Sequence, residues 1–365
     1  MAVTKNIQNR TVCFFNSNHA WGGGEKWHLQ HAISLRNLGY QVLVVTGKKS
    51  ALFEKAKNNG LRVKSFHIFN LSFLDPIFIT YLARFFMREK VDTVIFGLSK
   101  DVKTGGIAAR MAGIKKRIYR RGSAVPVRDS LLNRFLFRHI LTQTVANSVC
   151  IREAILENNP KLIPPGKLRL IYNAVHIPGR EMRPKAHQHK IQLTNAGRLV
   201  EQKGQHYLVK VAATLKKEGY PFTMSIAGAG KLAKPLKAMA VESGLNGEFR
   251  LCDFQDEITL FLKDSDIFLF PSLHEGTANV LLEVMAMGIP VVAFNVSSMP
   301  EMIVDGETGY LVPLGDTAAF TEKVKILIEN PQLRVSLGEN ARKRVQERFN
   351  WEHQFSKFMQ LINEE

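Results

Sequence analysis

The sequence predicts an α/β protein with two doubly wound parallel-sheet domains that face each other across a cleft. The chain has 365 residues, which is more than one domain usually holds. Strand-like segments alternate with helix-length segments, a pattern typical of parallel sheets covered by helices. This pattern begins twice, near residues 11 and 191, each time with a strand, a glycine-containing turn and a helix. The two beginnings indicate two similar units.

The first half opens with T-V-C-F-F-N (Thr11–Asn16), a predicted strand, and W-G-G-G-E (Trp21–Glu25), a predicted turn. From Lys26 to Leu38 the apolar residues recur at helical spacing, and Gly39 is suited to end that helix. Further strands are predicted at Gln41–Thr46, Thr93–Gly97, Lys116–Arg120 and Thr144–Asn147.

The second half follows a polar segment, Arg180–Lys190, which is poor in core residues and predicts a linker. A strand at Ile191–Ala196, a loop at Gly197–Gly204 and a helix at Gln205–Lys217 come next. Further strands are predicted at Thr223–Gly230, Asp266–Ser272 and Pro290–Phe294. Because ligands of open α/β sheets bind at the carboxyl ends of the strands, the loops after these strands are the expected site.

The composition is that of a soluble globular protein, and several other classes are excluded. No apolar run approaches the roughly 20 residues that span a bilayer. The first residues lack the apolar core of a signal peptide, so we expect a cytoplasmic protein. The three cysteines, Cys13, Cys150 and Cys252, are far apart and have no metal-ligand spacing, so we expect buried, reduced thiols.

The excess of positive over negative charge lies entirely in the first half of the chain. Residues 1–180 hold 29 Lys and Arg against 9 Asp and Glu, whereas residues 181–365 hold 21 against 23. The whole chain has a net charge of +18. The two halves are therefore expected to meet different partners, and the first half an acidic one.

Two features of the second half suit a phosphorylated sugar donor. Arg198 and Lys203, in the loop after its first strand, could clamp a diphosphate, although a solvated surface loop is the alternative. The stretch H-E-G-T-A-N-V-L-L-E places Glu275 in a loop and Glu283 one turn into a helix that Asn279 could cap. The start of that helix suits phosphate, and the two carboxylates suit sugar and ribose hydroxyls.

These residues resemble those of the family 4 retaining glycosyltransferases, enzymes of the two-domain GT-B fold with Rossmann-like halves. The resemblance covers the second half almost completely and rests on motifs in the expected order. The motifs are N-A-G-R-L-V-E-Q-K-G (Asn195–Gly204), the pair Glu275 and Glu283, A-M-G-I-P-V-V-A (Ala286–Ala293), P-E-M-I-V-D-G-E-T-G-Y-L-V-P (Pro300–Pro313), V-A-N-S (Val145–Ser148), L-I-Y-N-A-V (Leu170–Val175) and W-G-G-G-E.

The resemblance implies a role for each matching residue. Arg198 and Lys203 would neutralise the donor diphosphate, Glu275 would contact the donor sugar and Glu283 the ribose, with Arg198, Lys203 and Glu275 forming the catalytic set. The full donor-binding set is then Gly23, Gly24, Arg198, Lys203, Gly228, Glu275, Gly276, Thr277, Ala278, Asn279, Val280 and Glu283. The domains would be an acceptor domain of residues 1–180, rejoined by a helix at about 350–365, and a donor domain of residues 181–349.

The first domain departs from the family pattern at one position. Many members carry a histidine after a mid-sheet strand, but the corresponding segment, Lys116–Pro126, contains none. Candidates for contacting the acceptor are Lys100, Asp101, Arg120, Arg121 and Ser123.

No metal or other cofactor is expected. Asp264 and Asp266 form an Asp-x-Asp sequence that could hold a divalent ion, but they precede a strand, as an ordinary aspartate of the family does. The G-A-G turn at Gly228–Gly230 lacks the spacing of a dinucleotide site and is expected to line the nucleotide base. Positive charge at the diphosphate would come from the protein itself.

The expected partners are a nucleotide-sugar donor and a saccharide or lipid-linked acceptor in cell-envelope glycan or lipopolysaccharide synthesis. The segments Ile77–Arg88 and Leu131–His139 mix aromatic residues with arginine. They are either core-packing helices or a peripheral face for an anionic membrane, on the inner side of the cytoplasmic membrane. Alternatives are a nucleotide-sugar epimerase or hydrolase of the same fold and, from charge alone, a nucleic-acid-binding protein, although no nucleic-acid motif is present.

Overall fold

The structure, a computed structural model, describes residues 10–178, 190–255 and 257–364. It divides into two compact units, of which one comprises Met1–Tyr172 with Phe355–Glu365 and the other Asn173–Gln354. The predicted linker, Arg180–Lys190, lies outside the described residues apart from Lys190. Each unit is built around one parallel sheet, as the alternation of strands and helices predicted.

The first unit contains a seven-stranded sheet with the order β3-β2-β1-β4-β5-β6-β7, all neighbours being parallel. The strands are β1 Thr11–Asn16, β2 Gln41–Gly47, β3 Arg62–Phe66, β4 Val91–Phe96, β5 Lys116–Arg121, β6 Gln143–Ala146 and β7 Leu168–Leu170. The order reverses between β1 and β4, which is the switch point of a doubly wound sheet, where such sheets bind ligands.

Helices cover both faces of this sheet. They are α1 Gly23–Asn37, α2 Ala51–Asn58, α3 Pro76–Arg88, α4 (Ser99–Asp101, a π-helical Val102–Gly106 and Ile107–Met111), α5 Leu131–Phe135 with a π-helical continuation at Leu136–Ile140, and α6 Val149–Leu156. Side chains of β1 alternate between two cores, because successive residues of a strand point to opposite faces. Cys13 and Phe15 enter one core, and Val12 and Phe14 enter the other.

The second unit contains a six-stranded parallel sheet with the order β10-β9-β8-β11-β12-β13. Its strands are β8 Ile191–Ala196, β9 Phe222–Ala227, β10 Phe249–Cys252, β11 Ile267–Phe270, β12 Val291–Phe294 and β13 Tyr310–Val312. Its helices are α7 Gln205–Lys217, α8 Ala233–Glu242, α9 Ile258–Leu262, α10 Asn279–Ala286, α11 Met299–Met302, α12 Thr317–Glu329 and α13 Pro331–Arg348. The switch point of this sheet lies between β8 and β11.

The last helix, α14 (Trp351–Asn363), joins the first unit from Phe355 onward. Its buried residues Phe358, Leu361 and Ile362 enter the core that also holds Val12 and Phe14. The C-terminal end of the chain therefore completes one face of the N-terminal sheet.

Four strands that the hydrophobic pattern did not predict all lie at the edges of the sheets: β3, β7, β10 and β13. An edge strand is covered less than a central one and needs no continuous apolar run. The burial of β3 alternates between exposed and half-buried until Phe66, which explains the weak signal.

The prediction that W-G-G-G-E forms a turn was wrong, because α1 already begins at Gly23. Gly22 is the extended residue before the helix, and its carbonyl accepts a hydrogen bond from the Lys26 N–H at 3.0 Å. Glycine is a poor helix former in the interior of a helix, but the first turn is held by few hydrogen bonds. Glu25, in that turn, is favoured there by the helix dipole.

None of the helices in the described residues is long and apolar enough to cross a membrane.

Candidate functional site

The loops after β8 and β11 are tied together at the switch point of the second sheet. The Leu273 N–H donates to the Gln202 carbonyl at 2.8 Å, and the Gln202 side chain donates to the His274 carbonyl at 2.9 Å. Gly204 has a φ of +64°, and a Cβ at this position would lie 2.1 Å from the Pro271 carbonyl oxygen. Only glycine allows this approach of the two backbones, so the sequence Q-K-G fixes the distance between the two loops.

This loop packing forms an ion pair between Lys203 and Glu275. The Lys203 ammonium donates to Oε1 of Glu275, and the side chains are 16% and 9% exposed. The ammonium also lies 5.7 Å from the centre of the Phe270 ring. The structure thus brings together two of the three residues predicted as catalytic, in an environment that largely excludes water.

The loop that carries Glu275 is held in turn by two serines after β12. The Glu275 N–H donates to Oγ of Ser297 at 3.4 Å, and Oγ of Ser298 donates to the Gly276 carbonyl. Ser297 has a φ of +49°, an uncommon conformation for a residue with a side chain. Glu275 and Gly276 are therefore positioned by hydrogen bonds from the loop after β12, in addition to the loops after β8 and β11.

The helix after this loop, α10, begins at Asn279, and its N-cap is Ala278 with no side-chain cap. The prediction of Asn279 as the N-cap was wrong, because its side chain accepts from Nδ2 of Asn173 at 2.6 Å instead. Thr277, Val280 and Glu283 are half-buried around the helix start, and Glu283 lies one turn inside the helix. The N-terminal end of α10, which carries the positive end of the helix dipole, thus lies between Glu275 and Glu283 in the chain.

Arg198 is exposed on the same loop as Lys203. Its position is set by backbone contacts with the G-A-G turn, because the Leu199 N–H donates to the Ala229 carbonyl at 2.9 Å. A Cβ on Gly228 would lie 1.9 Å from the Gly197 carbonyl oxygen, so the turn needs glycine for packing. The guanidinium of Arg198 can therefore reach a ligand at this edge of the sheet while its backbone stays fixed.

In the first unit, a buried carboxylate joins the ends of β1 and β4. Asp101 is fully buried and accepts from the Ser17 N–H at 3.1 Å and from the Ser17 hydroxyl at 2.5 Å. Burial raises the pKa of Asp101 to about 7, although the bonds from Ser17 act in the opposite direction. The neighbouring Lys100 ammonium lies 3.5 Å from the Ser17 carbonyl oxygen and 3.4 Å from that of Ile68.

A second buried carboxylate, Glu25, orders the glycine-rich segment. It accepts from the side chains of Asn16 at 3.1 Å and Asn18 at 3.0 Å. Gly23 and Gly24 precede it in the first turn of α1, so their backbone lies at the switch point of the first sheet.

The candidates at the end of β5 and just after it divide into buried and exposed residues. Arg120 lies 5.1 Å over the ring of Trp27, and burial lowers its pKa to about 10. Arg121 donates to the Tyr119 hydroxyl at 3.3 Å and to the Val125 carbonyl. Both arginines are therefore buried and contact other residues of the first unit. Ser123 is exposed, which leaves Lys100 and Ser123 as the accessible acceptor-side candidates.

Asp264 and Asp266 lie at the opposite end of the second sheet from Lys203. Asp266 is buried before β11, accepts from the Gln192 N–H at 2.8 Å and donates its own N–H to the Gln192 carbonyl at 2.9 Å. Within the described parts of the chain, no group of three or more His, Cys, Asp or Glu side chains is arranged to hold a metal ion.

Sequence reasoning missed the polar residues that position the site. They are Asn16, Ser17, Asn18, Glu25, Asn173, Ser297 and Ser298. Several of them directly follow a strand, which is the one signal that could have found them. Glu25 lies within nine positions of Asn16 and Asn18, but the partners of Ser17, Asn173, Ser297 and Ser298 are at least 22 positions away, so spacing along the chain could not assign their roles.

Comparisons with known proteins match both halves of the chain. Residues 21–177 match the profile described as Glycosyltransferase Family 4, and residues 180–344 match Glycosyl transferases group 1. The chain is 30% identical to the capsular polysaccharide biosynthesis glycosyltransferase CapM of Staphylococcus aureus over 173 residues, 46% of each chain. It is 31% identical to the lipopolysaccharide core biosynthesis glycosyltransferase LpsE of Rhizobium meliloti over 166 residues, 46% of this chain and 48% of the relative. Each match spans about half of the relative's length.

Solved structures share the fold over nearly the whole chain. The Anabaena protein HepE, in complex with UDP and glucose, superposes with a TM-score of 0.82 at 19% identity and covers 97% of this chain and 99% of its own. The lipopolysaccharide outer core galactosyltransferase WaaB superposes with a TM-score of 0.76 at 19% identity, covering 96% of this chain and 99% of its own. The predicted fold class is thereby confirmed. Both profiles match in order along a chain of this fold, so the protein combines a Glycosyltransferase Family 4 domain with a Glycosyl transferases group 1 domain.

Proposed function

We propose that this protein is a retaining glycosyltransferase that moves a sugar from a nucleotide-sugar donor to a saccharide or lipid-linked acceptor. The observation that carries the proposal is the pairing of Lys203 with Glu275 beside the start of α10. A cation, a carboxylate and the positive N-terminal end of a helix lie within one loop cluster. That is the set of groups needed to bind a diphosphate next to a sugar.

The second unit is the proposed donor domain. Arg198 and Lys203 bind the diphosphate, Glu275 accepts from a sugar hydroxyl, and Glu283 accepts from the ribose. A diphosphate that binds Lys203 shares the ammonium group with Glu275. One ion pair would therefore contact both the phosphate and the sugar of the donor. The complexes of HepE with UDP and UDP-glucose make a uridine nucleotide the first donor to test.

Catalysis in this proposal is mainly electrostatic. Negative charge grows on the diphosphate as the bond to the sugar breaks, and Arg198, Lys203 and the N-terminal end of α10 would supply positive charge beside it. Groups that are ordered before the reaction stabilise such charge without a further cost of reorientation. The acceptor proton passes to the departing phosphate oxygen on the same sugar face, which retains the anomeric configuration. Glu275 therefore binds the donor and is not a general base.

The first unit is the proposed acceptor domain. Its excess of Lys and Arg suits an anionic acceptor, and Lys100 and Ser123 are the accessible candidates to contact it. CapM and LpsE, by their names, act in capsular polysaccharide and lipopolysaccharide core biosynthesis. We propose a role in cell-envelope glycan synthesis, in the cytoplasm and peripheral to the membrane.

The experiment has two stages. A thermal-shift screen of nucleoside diphosphates and nucleotide sugars identifies the donor, and product analysis with candidate saccharide and glycolipid acceptors then identifies the reaction. Transfer with retention supports the proposal. Donor conversion that needs no acceptor supports the epimerase or hydrolase alternative, and the absence of stabilisation by any nucleotide contradicts the donor site.

A further inference from the structure

The first unit displays an ordered apolar surface between β3 and the outer face of α3. Among the described residues, sixteen large hydrophobic side chains are exposed, and five of them fall between positions 69 and 81. These five, which we call the apolar ridge, are Phe69, Leu71, Leu74, Ile77 and Tyr81, and their exposed fractions range from 52% to 82%. Soluble monomers rarely expose large apolar patches, and five exposed apolar side chains within thirteen positions are unusual for this reason.

Local hydrogen bonds hold the apolar ridge in place. The Phe69 N–H donates to Oγ of Ser72 at 2.9 Å, and the Phe78 N–H donates to Oδ1 of Asp75 at 3.0 Å, which caps α3. Pro76 starts that helix. The ridge is therefore a built surface whose side chains are held outward, because its backbone is anchored at both turns.

Helix α3 separates its two faces clearly. Ile79, Leu82, Phe85 and Phe86 are buried in the core. Ile77, Tyr81, Arg84 and Arg88 follow one another by four, three and four positions and so form one outward stripe. The first turns of this stripe are apolar and the later ones are cationic. A groove of about 440 Å³, lined by Pro76, Ile77, Thr80, Tyr81 and Arg84, runs along it.

The cations around the apolar ridge are available to a partner. Within the described part of the chain, Arg84 has neither a hydrogen bond nor an ion pair. Arg88 is 73% exposed and contacts Glu89 only at 3.4 Å. Lys103 lies 5.7 Å from the centre of the Phe73 ring. Apolar side chains in the middle with Lys and Arg beside them match the boundary between acyl chains and anionic headgroups.

The other segment with aromatic and arginine residues lacks this arrangement. Leu131 and Phe135 are exposed, but Arg134 is bound by both oxygens of Asp129 at 2.8 and 2.6 Å. Arg138 donates to the Lys161 carbonyl at 2.7 Å. These arginines are occupied within the protein, so α5 serves as an internal comparison for α3.

We propose that the apolar ridge, with Arg84, Arg88 and Lys103, docks on an anionic lipid bilayer. The ridge adjoins the acceptor-side residues, because Lys100 contacts the carbonyl of Ile68 just before Phe69. Docking would place Lys100 at the bilayer surface. The link between docking and acceptor binding rests on the proposed function. Docking itself can be measured without any sugar transfer.

The first test is co-sedimentation of the full chain with vesicles of phosphatidylcholine, alone or mixed with phosphatidylglycerol. The parent should bind the mixed vesicles and be released as salt rises. Leu71→Ser with Ile77→Ser, and separately Arg84→Ser with Arg88→Ser, should each weaken binding tenfold or more. The matched pairs Leu131→Ser with Phe135→Ser, and Arg134→Ser with Arg138→Ser, remove the same kinds of groups from α5 and should change binding less than twofold.

The second test locates the inserted surface. Phe69→Trp introduces an indole on the ridge, and vesicles of brominated lipid should quench its fluorescence above the background of the parent. Leu131→Trp is the control and should stay unquenched. Quenching of the control alone, or of neither indole, would overturn the proposal.

Other results of the vesicle-binding experiment also test the docking proposal. Equal binding to neutral and mixed vesicles contradicts an anionic partner, and binding that resists the Leu71 and Ile77 changes contradicts the ridge. A dimer that these changes dissociate would assign the surface to a second copy of the chain. The thermal shift caused by UDP is measured on every variant. If the parent does not bind vesicles but is still stabilised by UDP, the docking proposal is contradicted and the proposed donor site is not.

Discussion

Lys203 and Glu275 lie 72 positions apart in the chain, yet they form a nearly buried ion pair. The pair exists because two strand ends meet at the switch point of the second sheet and Gly204 lets their loops touch. Removing one charge from such a pair leaves the other desolvated and without compensation. The pair therefore links the stability of the second unit to its proposed donor site.

A double-mutant cycle should reveal this link. Lys203→Met should lower the free energy of unfolding by about 3 kcal/mol, because the Glu275 carboxylate remains buried without its cation. The double variant Lys203→Met with Glu275→Gln should recover about 1–2 kcal/mol relative to the sum of the single changes. Urea unfolding of the four proteins measures both values. Strict additivity would mean that the pair is not formed in solution.

Donor binding should depend on Lys203 and Glu283. Lys203→Ala and Glu283→Gln should each weaken nucleotide-sugar binding or turnover tenfold or more, since each removes a charge-assisted bond worth about 1.5–3 kcal/mol. Lys217→Ala and Glu307→Gln, at exposed positions of the same unit, are the matched controls. Steady-state kinetics that place both site variants within twofold of the parent would refute the site assignment.

Turnover should not require a divalent metal ion. Arg198, Lys203 and the start of α10 supply the positive charge at the proposed diphosphate site, and Asp266 is engaged at the other end of the sheet. Activity measured in EDTA should equal activity in Mg²⁺ or Mn²⁺. Loss in EDTA with rescue by either ion would return Asp264 and Asp266 to consideration.

Gly204 should resist substitution more strongly than a glycine with similar backbone geometry but open surroundings. Gly219 has a φ of +81°, and a Cβ added there would meet no atom within 4 Å, so Gly219→Ala should cost only the conformational strain, about 1 kcal/mol. Gly204→Ala adds a clash with the Pro271 carbonyl and should cost roughly 3 kcal/mol or more. Thermal and urea unfolding compare the two, and equal losses would show that the loop contact is not needed.

The buried Asp101 should make stability depend on pH. Its pKa is raised from 3.8 to about 7 in the folded protein, so between these values the folded state holds a proton that the unfolded state has lost. Stability should therefore fall as pH rises through this window, by up to about 1.4 kcal/mol per pH unit, and level off above pH 7. The difference in unfolding free energy between the parent and Asp101→Asn isolates this effect. A difference that stays constant from pH 5 to pH 8 would contradict the raised pKa.

The sequence by itself determined the fold class and the central strands, and it supplied the motifs of the proposed donor site. Buried central strands such as Thr11–Asn16 and Ile267–Phe270 must be apolar along their length, so their pattern is visible without a structure. The loop N-A-G-R-L-V-E-Q-K-G and the pair Glu275 and Glu283 were visible for a related reason. Local turn chemistry and residue spacing are properties of a short stretch of chain.

Only the tertiary structure decided which residues touch. It paired Lys203 with Glu275, buried Asp101 against Ser17, and turned Arg120 and Arg121 inward, although in the sequence all of these are polar residues at or after the end of a strand. Among the residues that the structure describes, it also distinguished Arg84, which makes no hydrogen bond or ion pair, from Arg134, which is bound to Asp129. Such differences arise because contacts in a parallel sheet join residues far apart in sequence, and their burial and charge balance depend on the neighbours that the fold supplies.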